Sequence, residues 1–128
     1  MEWMRLVLVL TGGALGSGGR YLVSLWMADR FGAAFPWGTL TVNVAGSFLI
    51  GLLATVADEL GGIGPDGRVF LIAGMLGGFT TFSSFSLETL RLAQDNEMGR
   101  AAANVAVNLA LGLCAVVLGV AAGRALER

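Results

Sequence analysis

Charged residues punctuate the chain into four long apolar stretches. Residues 6–28 are apolar except for Arg20, and residues 31–57, 69–87 and 101–123 carry no charge. A helix needs about 20 apolar residues to cross the hydrocarbon core of a bilayer. The pattern therefore predicts an all-α membrane protein of four transmembrane helices, with approximate spans 4–28, 37–57, 69–90 and 100–123 in one domain, 1–128. The breakers fall between the spans, in "DRFGAAFPWG" (29–38), "DELGGIGPDGR" (58–68) and "RLAQDNEMGR" (91–100). Pro36 and Pro65 each precede a span, where a missing N–H costs little.

Composition sharpens this. Of 128 residues, 55% are hydrophobic and 13% charged, and the mean hydropathy is +0.76. A soluble domain carries about a quarter charged residues. The net charge of −1 gives no reason to expect a nucleic-acid partner. The chain has no histidine, which removes the commonest transition-metal ligand. Cys114 has no partner for an internal disulfide and reads as a small core filler. Arg5 followed by "LVLVL" resembles a signal peptide, but the apolar run continues to about residue 28 without an A-x-A site, so an uncleaved first span is expected.

Polar side chains inside a membrane are costly and face protein or water. In the second stretch Thr39, Asn43 and Ser47 fall at i, i+4 and i+8, and in the fourth Asn104 and Asn108 fall at i and i+4. Such stripes are either interhelical glue or uncharged donors along an anion path. The third stretch ends in "GGFTTFSSFSLE" (77–88). Gly77 and Gly78 weaken a helix there by about 1 kcal/mol each, and the hydroxyls of Thr80, Thr81, Ser83, Ser84 and Ser86 can support a distorted turn. A break at that depth is tolerated only where protein buries it or it lines a cavity. Phe82 and Phe85 share a face, and an aromatic ring has a positive edge suited to an anion. Glycine pairs at i, i+4, such as Gly12 and Gly16, Gly74 and Gly78, and Gly119 and Gly123, predict close helix packing.

Four spans put both termini on one side. That side holds Arg5, Arg68, Arg124 and Arg128, and the other holds Arg30, Arg91 and Arg100, with Arg20 if it lies near its helix end. Cationic bias normally fixes orientation, and here it is nearly balanced. Insertion both ways, and an antiparallel homodimer, are expected. Arg20 either steers anions at a vestibule or pairs with a carboxylate. Glu88, at the end of the third block, is the one near-membrane carboxylate.

"GGALGSGGRY" (12–21), "WGTLTVNVAGSFLIGLL" (37–53) and "GGFTTFSSFSLE" resemble the signature blocks of the CrcB/Fluc family of fluoride channels, and length, span number and motif order match over the whole chain. The resemblance implies a passive fluoride channel in the bacterial plasma membrane, not an enzyme. It implies an antiparallel dual-topology homodimer with a structural sodium ion held by the backbone carbonyls of Gly77 and Thr80. It implies a fluoride path along Asn43, Phe82 and Phe85. Read from the residues themselves, Thr39, Ser83, Ser84, Asn104 and Asn108 are further candidate donors and Arg20 and Glu88 stand at a possible vestibule. Two other readings are a small dual-topology proton-coupled multidrug exporter and a membrane scaffold without transport. The exporter wants a carboxylate in the first span, which has none.

Overall fold

A computed structural model describes residues 1–127. Among these residues, four helices are long and apolar enough to cross a membrane. The first is α1 (Glu2–Phe31), the second α2 (Trp37–Asp58) and the last α6 (Met98–Ala125). The third span, Pro65–Gln94, is composite. It opens with the single turn α3 (Pro65–Arg68), continues as a π-helical stretch Val69–Leu76, returns to α-helix in the short α4 (Gly77–Phe79), breaks, and resumes as α5 (Phe82–Gln94).

The ends follow local chemistry. Pro65 occupies the first position of α3, where its missing N–H is no loss. Gly32, at φ 78°, closes α1 and returns its N–H to the Ala28 carbonyl at 2.8 Å. Asn96 takes the left-handed conformation after α5, at φ 59°. The Glu97 N–H then reaches the Leu92 carbonyl at 2.8 Å and the Asn96 N–H reaches Ala93 at 3.2 Å, which satisfies the last carbonyls of the helix.

Two tight seams hold the spans together, and both are made by glycine. A side chain at Gly12 would sit 2.5 Å from the Phe70 carbonyl oxygen, and one at Gly78 2.5 Å from that of Gly13. One at Gly16 would overlap the Met75 carbonyl. Backbone therefore meets backbone between α1 and the third span. The second seam joins α2 to α6. Gly51 faces Val116 and Val120, while Gly119 faces Phe48 and Leu52. In a bilayer, where apolar side chains gain nothing by leaving lipid, such close approach supplies the dispersion energy of association.

The polar ends are tied by ion pairs. Arg5 meets Asp66 at 3.6 Å, Arg68 meets Asp58, and Arg124 meets Glu59 at 3.0 Å, all on the side of the termini. Hydrogen bonding from Arg124 holds the Glu59 carboxyl below its ordinary range. On the opposite side Arg100 lies 3.5 Å from Glu97. Arg128, part of the arginine tally, lies outside the described residues.

Candidate functional site

The break falls at Thr80 and Thr81, which are both extended, at φ −89°, ψ 157° and φ −152°, ψ 119°. Thr80 keeps its N–H and its hydroxyl on the Leu76 carbonyl, at 3.1 and 3.0 Å, and its methyl is accommodated because Gly46 of α2 has no side chain. Thr81 begins α5 as its cap, its hydroxyl accepting from the Ser84 N–H at 3.2 Å, as a helix N-terminus requires. Its hydroxyl also lies 3.2 Å from that of Ser83.

The hydrogen bonds that an unbroken helix would make are redirected. The Thr81 N–H, which would return to Gly77, donates to Asn43 Oδ1 at 2.8 Å. The Ser84 N–H, which would return to Thr80, goes to the Thr81 hydroxyl. The carbonyls of Gly77 and Thr80 thereby lose their helical partners. The Gly78 carbonyl is treated differently, because it accepts from Arg20 Nε at 3.0 Å. Arg20 thus binds the backbone of the break, a partner that neither sequence expectation for it included.

Asn43 is central to the arrangement. Its Nδ2 donates to the Thr81 carbonyl at 3.1 Å and to Asn108 Oδ1 at 3.2 Å. Asn108 in turn donates to Asn104 Oδ1 at 2.9 Å and to the Asn104 carbonyl at 2.8 Å. Asn104, fully buried, donates to the Thr89 hydroxyl at 2.9 Å. The stripes on α2 and α6 therefore meet each other and the break.

Two cavities flank this break. One, of about 430 Å³, is lined by Arg20, Thr39, Thr81, Ser84, Glu88 and Arg91 among others. Thr39 donates to Glu88 Oε1 across it at 2.6 Å. The other, the lateral cavity, of about 370 Å³, is lined by Asn43, Ser47, Gly77, Thr80, Thr81 and Phe82 with apolar neighbours. Thr81 belongs to both walls. Phe82 is 76% exposed and Phe85 9%, and their rings lie 5.5 Å apart, tilted by 51°. Phe82 thus lines the lateral cavity with Phe85 beneath it. Asn104 and Asn108 line neither cavity.

Sequence reasoning gave Thr81 only a share in supporting the turn and passed over Arg91 and Thr89 as parts of the site. Thr81 had a signal in its position just before the aromatic run, where a hydroxyl caps a helix. Arg91 and Thr89 had none, since their roles depend on which helices lie beside them.

The arrangement joins cationic, hydroxyl and amide donors to an aromatic wall at membrane depth. Such donors can replace part of an anion's water shell without a fixed charge at the break itself. The family model described as "CrcB-like protein, Camphor Resistance (CrcB)" matches residues 7–120. A relative from Opitutus terrae is 54% identical over 113 residues, 87% of this chain and 86% of its own length. Relatives from Rhizobium meliloti and Thermus thermophilus are 51% and 50% identical, over 94% and 95% of this chain and 97% and 95% of their own. All three are named fluoride-specific ion channel FluC.

Proposed function

The chain belongs to the CrcB family, and from that premise we propose that it is a passive fluoride-selective channel that lowers cytoplasmic fluoride. The family is one of ion channels and not of enzymes. The observation that carries the reading is identity of about half, over nearly the whole chain, to relatives named as fluoride-specific channels.

Chemistry along the break supports it. Arg20 and Arg91 line one cavity together with Glu88 and Asp95, and the two guanidinium groups offer an anion a place to enter. Beyond them the start of α5 offers the positive end of a helix. Asn43 and Phe82 then line the lateral cavity, where partial charges bind weakly enough to permit release. Thr39, Ser83, Ser84 and Phe85 serve this path as donors or support, with Glu88 at its mouth.

The working unit in this reading is an antiparallel dual-topology homodimer. The lateral cavity exposes amide, hydroxyl and carbonyl groups at membrane depth, and lipid cannot satisfy these. A second copy would cover them. A structural sodium ion between the copies also fits the residues. Gly77 and Thr80 have carbonyls released from helical bonding, and oxygen is what a hard cation takes. When bound, the ion would supply a fixed positive charge that holds the two breaks together.

Fluoride and chloride efflux from vesicles containing the purified protein tests the function. Rapid fluoride efflux with little chloride efflux is expected, without need of a sodium gradient. Equal rates for both anions, or no flux of either, overturn the proposal.

A further inference from the structure

The hydrogen bonds behind the break run in one direction. The Thr81 N–H donates to Asn43 Oδ1, Asn43 Nδ2 to Asn108 Oδ1, Asn108 Nδ2 to Asn104 Oδ1, and Asn104 Nδ2 to the Thr89 hydroxyl. Thr89 completes the run by donating to the Phe85 carbonyl at 2.7 Å. One end is a backbone N–H, which can only donate, and the other a backbone carbonyl, which can only accept. These two groups fix the orientation of every amide between them. Chains of this kind polarise each bond in turn.

The two ends are four residues apart in sequence and enclose the segment that bears both aromatic rings. We propose that Asn104 and Thr89 are positioning residues, which act through Asn108 and Asn43 to hold the Thr81 peptide away from Gly77 and so keep the break open under Phe82 and Phe85. Neither lines the two cavities at the break, and Asn104 is inaccessible, so they act at a distance from the ion. Without Asn43 the Thr81 N–H has the Gly77 carbonyl as its helical alternative. Closing that bond would continue α4 toward α5, withdraw a carbonyl from the break and turn the Phe82 ring.

The proposal rests on the reading of the chain as a fluoride channel, and its test keeps the two apart. Thr89→Val preserves shape and removes the hydroxyl. Fluoride efflux from vesicles is expected to fall about fivefold, the rate equivalent of one lost buried hydrogen bond. Thr89→Ser, which restores the hydroxyl, should return to within about twofold of the unaltered rate. Asn104→Leu cuts the same link from the other side and serves if Thr89→Val does not assemble. The double variant should be no slower than Asn104→Leu alone, because the run is already cut. Hydrogen exchange at the Thr81 amide should quicken in Thr89→Val and not in Thr89→Ser. Wild-type efflux and exchange in Thr89→Val, or losses that multiply in the double variant, overturn the proposal. If the unaltered protein carries no fluoride, the functional reading falls, and exchange at Thr81 alone decides whether the relay exists.

Discussion

Phe82 and Phe85 share a helix face but not an environment. Phe82 stands at the lateral cavity, and Phe85 is buried below it. If their ring edges replace fluoride's water, removing either quadrupole while keeping an apolar side chain should slow efflux. Phe82→Ile and Phe85→Ile are each expected to lower the fluoride rate by about tenfold with elution on size-exclusion chromatography unchanged. Asn43→Asp should abolish it, because a fixed negative charge repels the anion and the Nδ2 donor to Thr81 and Asn108 is lost. Wild-type rates in both isoleucine variants beside a dead Asn43→Asp would assign the path to the amide alone. At this scale the sequence was half legible. The asparagine stripes are visible as spacing, but which stripe meets which depends on α2 lying against α6. The bond from Arg20 to the Gly78 carbonyl was out of reach for a similar reason. A freed backbone carbonyl is a strong acceptor that no residue letter records, and Gly78 becomes one only because the helix breaks beyond it.

Among the elements, glycine decides which surfaces meet. Gly16 lies against the Met75 carbonyl with no room for a side chain. Gly16→Val should therefore force α1 off the third span, with loss of folded protein in detergent and a lowered unfolding midpoint. Gly99→Ala, at a position with open space around it, should leave both unchanged. Wild-type thermal stability in Gly16→Val would mean that the seam is looser than this. The four spans were readable because a charge-free run as long as a bilayer is thick, repeated through so short a chain, would leave a water-soluble fold without a polar surface. The break was readable because two glycines and a cluster of hydroxyls contradict an apolar helix. The π-helical stretch was not readable. "VFLIAGML" is ordinary helix-forming sequence, and the close backbone contacts that Gly12 and Gly16 make with Phe70 and Met75 within it are not written in its letters.

For the whole molecule, the near balance of arginines and the polar groups left on the wall of the lateral cavity lead to the same expectation. A chain with little orientation bias is expected to insert both ways, and reporters fused to its C-terminus should be found on both sides of the membrane. Several arginines added at one end should collapse this to one orientation and reduce fluoride efflux in proportion. A single orientation in the active, unaltered protein would exclude an antiparallel pair. The antiparallel pair is an expectation drawn from the balance of arginines, and the central ion is one drawn from the resemblance alone. Both concern surfaces that one chain leaves incomplete, and only the incompleteness is written in the sequence.

The π-helical stretch has a consequence for how such a chain can change in length. Deleting one residue from a regular helix turns everything beyond it by about 100°, which would carry Gly74 or Gly78 off its seam. A π-helical turn already holds one residue more than its α-helical counterpart, so it can lose one and relax to α-helix while both flanks keep their facing. The stretch is thus a spare place in the angular count of the third span. Deletion of Ala73, exposed within it, is expected to leave a folded protein that still passes fluoride, whereas deletion of Ala14 in α1 is expected to leave neither. Equal loss from both deletions would show that the surplus is not spare. If it is, lineages of this family could gain or shed a residue here without disturbing the ion's route.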